Sequence, residues 1–227
     1  MSQDTYDLFV KRLKEERERA KLTQKEAAAK LRMSESHYSK AEAARRRLSF
    51  FETKYLCETD LDSFYIFTKK RVDHGDVQFL SECDYAELLC HYDIVCMAMI
   101  RQGRKMAGSL DREDKRVIEY CRYLLAAEVT DKTILKKHRQ YRDCNQHQMA
   151  GLLGVDSKKL RDLERGKLLP DSELIWQMSS RLDIPYFLVL KDKNGLLSEI
   201  CYWLKRMEPG SRNMVLEIMQ KYHGTLP

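Results

Sequence analysis

The sequence predicts an all-α chain built around one helical unit that occurs twice, and three observations carry this. Its 227 residues include only four prolines and nine glycines, which suits helices joined by short loops better than a many-turned β fold. Apolar residues recur at helical spacing behind capping signals, Thr23-x-x-Glu26 and Asn145-x-x-Gln148. The stretches that follow those two signals align with each other at an offset of 122 residues, Gln24 on Gln146.

Composition sets the outer bounds. Hydrophobic residues make up 43% and charged residues 33%, an ordinary balance for a globular protein. No run approaches the ~18 apolar residues of a membrane span, and the polar start Met1-Ser2-Gln3-Asp4 lacks a signal pattern. A cytoplasmic protein with no membrane partner is expected. The net charge of +6 is unevenly placed: residues 1–70 hold 16 Lys and Arg against 12 Asp and Glu, residues 71–130 hold 8 against 11, and residues 131–227 hold 17 against 12. Basic ends around an acidic middle suit phosphate-binding surfaces at both ends. The seven cysteines include no C-x-x-C pair, and the six histidines no i, i+4 pair. Cys83 and Cys90 are seven apart and share a helix face, where free cysteine acts as a small hydrophobe. No cofactor and no metal site are therefore expected.

The second copy is the easier to read. Asn145 opens a helix running to about Leu153, and Gly154 provides a turn residue tolerant of positive φ. A second helix spans about Asp156 to Arg165, with Gly166 as its C-cap and Pro170 beyond. Met149, Leu153, Val155, Leu160 and Leu163 form the inward set. Ser157, Lys158, Arg161, Asp162 and Arg165 fall on the opposite face, an arrangement suited to a helix that enters a DNA groove. In the first copy the opening helix runs from Thr23 to Leu31. Its successor starts near Ser34, exposes Glu35, Ser36, Ser39, Lys40 and Ala43, and ends in Arg45-Arg46-Arg47, placed to meet a phosphate backbone.

Both copies resemble the Cro-like, or xenobiotic-response-element, family of phage-repressor helix-turn-helix regulators. The residues that carry the resemblance are Gln146, Met149-Ala150, Leu153-Gly154-Val155, Leu163-Glu164-Arg165-Gly166-Lys167 and Pro170, followed by Leu182-Asp183-Ile184-Pro185 and Phe187-Leu188. In the first copy Arg32 and Ala44 stand where the family has glycine, and no proline follows. The resemblance implies two lambda-repressor-like helix-turn-helix domains, with Gln24 and Gln146 on phosphates. It implies base-facing positions at Ser34, Glu35, Ser36, Ser39 and Lys40, and at Asp156, Ser157, Lys158, Arg161 and Asp162. Arg165 and Lys167 complete the basic set of the second copy.

Between and beyond the copies lie further helical stretches. Residues 82–101 are apolar-rich, and residues 109–129 carry Val117, Ile118, Tyr120, Cys121, Leu124 and Leu125 on one stripe. Leu196 to Met207 is amphipathic, Glu208-Pro209-Gly210 breaks it, and Met214 to Tyr222 is helical again. Tyr202, Trp203 and Met207 read as core, with a dimerisation surface as the alternative. The division expected is 1–70, the first and more degenerate helix-turn-helix domain; 71–130, a helical linker or dimerisation segment; 131–192, the second domain; and 193–227, a helical appendage. No nucleophile–base pairing, glycine-rich phosphate loop or metal spacing indicates an enzyme. The expected function is sequence-specific binding of double-stranded DNA as a repressor, with a homodimer as the working state. An RNA-binding or anti-defence inhibitor that reuses such units, and an antitoxin-like module with a protein partner, are the alternatives.

Overall fold

The structure, a computed structural model, describes residues 3–105, 112–125 and 133–224, and they are helical throughout, with no strand among them. The helices are α1 (Gln3–Arg19), α2 (Gln24–Lys30), α3 (Glu35–Glu42), α4 (Phe50–Cys57), α5 (Ser63–Thr68), α6 (Tyr85–Lys105), α7 (Arg112–Leu125), α8 (Ile134–Tyr141), α9 (Gln146–Leu153), α10 (Ser157–Glu164), α11 (Ser172–Leu182), α12 (Tyr186–Leu190), α13 (Lys193–Arg206) and α14 (Pro209–Tyr222), with a 3-10 turn over Gly75–Ser81. None of them is long and apolar enough to cross a membrane. The chain forms two compact units, one from Met1–Arg71 with Lys132–Asn194, the other from Val72–Asp131 with Gly195–Pro227.

In the first unit, polar caps decide where the helices start. Thr23, Ser49 and Asn145 each accept a hydrogen bond from the backbone three residues on, and Glu26, Glu52 and Gln148 reach back to the cap's own N–H. Each such cap is worth about 1 kcal/mol. The five helices α1 to α5 have counterparts in α8 to α12, with α2, α3 and α4 starting 122 residues before α9, α10 and α11. Left-handed residues recur at the same offset: Lys21 and Asp143, Arg32 and Gly154, Ala44 and Gly166, Lys69 and Lys191. A Cβ on Gly154 would meet nothing within 4 Å, and one on Gly166 only Thr133 Cγ2 at 4.0 Å. Their φ of 64° and 68°, rather than crowding, is what favours glycine there. Arg32 (φ 55°) and Ala44 (φ 57°) hold the same turns in the first array despite their side chains.

The two arrays share one core. Phe9 of α1 meets Trp176 of α11 edge-on at 5.8 Å, and Phe67 of α5 stacks on Tyr186 of α12 at 4.1 Å. Polar groups inside this seam are satisfied across it: Tyr6 Oη and Ser172 Oγ lie 2.7 Å apart, the Leu48 N–H donates to Ser172 Oγ, and the Ser172 N–H donates to the Leu48 carbonyl. Buried Ser63 Oγ donates to Asp192 at 2.7 Å.

The second unit packs α6 against α7 and α14. Leu88, Tyr92, Val95, Cys96 and Met99 of α6 are buried, as are Ile118, Cys121 and Leu124 of α7. Val117 and Leu125 of the expected stripe, and the ends of the 109–129 stretch, lie outside the described side chains and residues. Trp203 and Met207 are buried, and Tyr202 is half-buried. One boundary differs from the sequence reading: α14 begins at Pro209, not near Met214. Proline at a helix's first position loses no hydrogen bond and is already at helical φ, so Pro209-Gly210 starts the helix instead of interrupting it. All seven cysteines are free thiols, and Cys90 and Cys144 are the partly exposed ones.

Candidate nucleic-acid interface

The helix pairs α2–α3 and α9–α10 are built alike, and a buried carboxylate locks each. Glu42, the last residue of α3, accepts from Arg17 Nε at 2.7 Å, from Arg17 Nη2 at 3.2 Å and from Gln24 Nε2 at 2.7 Å. Glu164, the last residue of α10, accepts from Arg139 Nε at 2.5 Å, from Arg139 Nη2 at 3.2 Å and from Gln146 Nε2 at 2.9 Å. The arginines also cap preceding turns, Arg17 on the Leu22 carbonyl and Arg139 on the Cys144 carbonyl. The hydrogen bonds that Arg17 donates to Glu42 hold the Arg17 pKa above its usual value. Three helices of each array are thereby fixed through one carboxylate, which sets the angle at which α3 and α10 stand out.

This lock changes the occupation of several residues singled out from the sequence. Gln24 and Gln146 turn their amide nitrogens inward onto Glu42 and Glu164, so their first partner is protein rather than phosphate. Ser34 and Asp156 are N-caps, accepting from the His37 N–H at 3.2 Å and the Lys159 N–H at 2.8 Å. The backbone bond from Lys159 draws the Asp156 carboxyl below its usual pKa. Of the Arg45–Arg47 run, Arg46 is bidentate to Glu52 at 2.8 and 2.9 Å. Arg47 pairs with Glu173 at 2.7 Å and lies over the Tyr6 ring, within the seam between the arrays. Arg45 and Arg47 are the exposed members of the run.

What remains outward differs between the arrays. On α3, Glu35, Ser36, His37 and Lys40 are exposed and Ser39 is half-exposed. On α10, Lys158, Arg161 and Arg165 are exposed, Ser157 and Asp162 are half-exposed, and Lys167 follows in the exposed turn. Tyr38 and Ala41 anchor α3 from beneath, and Leu160 and Leu163 anchor α10, all of them buried. Lys158, Arg161 and Arg165 recur at spacings of three and four, so they form one cationic stripe, whereas α3 exposes one lysine, Lys40, and one carboxylate, Glu35. The sequence reading missed Arg17 and Arg139, although they obey the same 122-residue offset as Glu42 and Glu164.

Residues 8–59, a span that runs from within α1 through α4, match the family model of a helix-turn-helix domain. No curated protein and no solved structure matches the chain.

Proposed function

We propose that this chain is a non-enzymatic, sequence-specific DNA-binding regulator of the Cro-like kind that represses by occupying its site. On this reading α9–α10 is a second helix-turn-helix motif, and α10 is the principal reading helix. The observation that carries the reading is the stripe Lys158, Arg161 and Arg165 on a helix whose orientation is locked through Glu164. Arginine and lysine one turn apart are suited to guanine O6 and N7 in the major groove, where an α-helix fits. The helix-turn-helix match at residues 8–59 supports the same class of ligand for the first array.

Both arrays lie in one unit, so one chain carries two candidate reading helices, as a dimer of single-motif repressors does. The expected operator has two half-sites on one face of the duplex, about 34–36 Å apart or a multiple of this; pairing of two chains would double it. The test is selection from a random duplex pool followed by footprinting, with single-stranded RNA as competitor. Enrichment of a two-part duplex site is the expected result. An unenriched pool, or displacement by RNA at equal concentration, would overturn the reading in favour of an RNA-binding or protein-interaction role.

A further inference from the structure

Far from the sequence of the helix-turn-helix arrays, the second unit gathers four metal-binding side chains at one point. Glu87 and His91 lie four apart in the first turns of α6 and so share one face, and Cys83 sits in the bend two residues before that helix. His223, at the end of α14, is brought to that face from 140 residues away. One donor atom from each of the four lies within 4.8 Å of the other three. Cys83 Sγ and His223 Nδ1 are 3.3 Å apart, His223 Nδ1 and Glu87 Oε1 are 3.3 Å apart, and His91 Nε2 and Glu87 Oε1 are 3.7 Å apart. A tetrahedral zinc ion with bonds of about 2.1 Å to N and O and about 2.3 Å to S needs donors roughly 3.4–3.6 Å apart. Those three donor pairs stand close to that spacing, and the remaining pairs lie within 4.8 Å.

A second observation points to a ligand. His91 is wholly buried, yet neither of its ring nitrogens has a hydrogen-bond partner. A buried imidazole left this way loses the hydration of both nitrogens with no hydrogen bond in return, only the 3.7 Å approach of Glu87 Oε1 to Nε2. A metal ion on Nε2 supplies the missing partner. The carboxylate is held in place from outside the cluster by the Gly224 N–H, 2.6 Å from Glu87 Oε1, which is the kind of outer support that metal-bound carboxylates use.

We propose that Cys83, Glu87, His91 and His223 bind one zinc ion as a structural clip between the start of α6 and the end of α14. The donor set selects the metal: thiolate and imidazole suit zinc, while magnesium and calcium require oxygen ligands. Four protein donors leave no open position, which makes the site structural rather than catalytic. On binding, the Cys83 thiol gives its proton to solvent and its sulfur lone pair to the ion; nothing is oxidised or reduced.

The test uses the full-length chain without a histidine tag, stripped of metal and titrated with Co2+ and then Zn2+. The expected result is one equivalent of Co2+, with the intense visible bands of a tetrahedral site and a thiolate charge-transfer band in the near ultraviolet, all displaced by one equivalent of Zn2+. His223 follows the last helix, so His223→Ala leaves every helix in place, as far-ultraviolet circular dichroism verifies. It should lower zinc affinity by more than the roughly 100-fold that loss of an outer partner costs. In Cys83→Ser the charge-transfer band should vanish, and in Cys90→Ser it should persist. No tetrahedral spectrum with the wild-type chain, or one that survives both His223→Ala and Cys83→Ser, overturns the proposal.

Discussion

Replacing Glu164 by Gln removes one charge and almost no volume, so it isolates what the buried lock contributes. The Glu164 side chain is 2% exposed and its partner Arg139 is 16% exposed. Three hydrogen bonds converge on it, two from Arg139 and one from Gln146. Glutamine offers one weaker acceptor and turns an NH2 group towards donors that are already there, leaving the Arg139 charge uncompensated below the surface. Breaking a buried ion pair on one side costs about 3–5 kcal/mol. In a unit of about 130 residues that corresponds to a fall in Tm of roughly 10–20 °C. The two tryptophans divide between the units, Trp176 in the first and Trp203 in the second, so thermal unfolding followed by fluorescence in a Trp203→Phe background reports the first unit alone. The double replacement Arg139→Met with Glu164→Leu, which removes both charges, should recover most of the loss. A single-variant loss below about 1 kcal/mol would refute the claim that this carboxylate holds α8, α9 and α10 together.

Arg161→Ala should cost about 1–3 kcal/mol on the preferred duplex and relax preference at one base pair, whereas Arg45→Ala should weaken all duplexes alike and make the log-affinity against log-salt slope shallower by about one; binding titrations over a salt series distinguish them. Ala44→Gly should stabilise the first unit by about 0.5–1 kcal/mol in urea unfolding, because alanine at φ 57° carries a left-handed penalty of about 1–2 kcal/mol that the greater unfolded-state freedom of glycine only partly offsets. His138 is wholly buried, and burial, with Arg142 adding to it, pushes its imidazole pKa down to about 4. The unfolded chain, with a pKa near 6.5, binds the proton first, so stability is full above about pH 6.5 and falls as pH drops towards 4. The loss approaches about 3 kcal/mol, and the urea midpoint of His138→Leu should lack this component of the pH dependence.

Local chemistry was legible in the sequence and three-dimensional partnership was not. The capping pairs Thr23 with Glu26 and Asn145 with Gln148 act within one turn, so their spacing alone locates the helix starts that the structure has. The 122-residue offset located two helical hairpins for the same reason. Gln24 and Gln146 are different: whether an amide at a helix start faces phosphate or protein depends on a carboxylate 18 residues later, and that depends on how the helices cross. Arg46 and Arg47 pair with Glu52 and Glu173, and nothing local in the sequence announces those partners. Glycines misled in the opposite direction. Their absence from the first array suggested a looser motif, yet Arg32 and Ala44 take the left-handed turns regardless, and the family match falls on that array. Cys83 was read with Cys90, its neighbour on a helix face, while the histidine that meets it lies 140 residues away.

The two arrays therefore share their internal locks and differ on their outer faces. On the proposed DNA-binding reading, equal geometry with unequal charge would have α10 read bases while α3 docks on the backbone. Glu35 is the residue on which this division turns. It is exposed in the first turn of α3. If α3 lies along a phosphate strand, the carboxylate only repels, and Glu35→Gln should raise affinity for every duplex by about two- to five-fold, the equivalent of roughly 0.5–1 kcal/mol for one exposed charge. If α3 enters the groove instead, the same carboxylate accepts from a cytosine amino group, and the substitution lowers affinity for sites bearing that cytosine while leaving others unchanged. The helix itself should not confuse the comparison: Glu35→Gln keeps the side chain's length, and the Ser34 cap acts through His37, not through residue 35. Binding measured on a panel of duplexes that vary one position at a time separates the outcomes. A uniform rise supports docking by α3; a loss confined to one cytosine gives base reading to both arrays and ends the division.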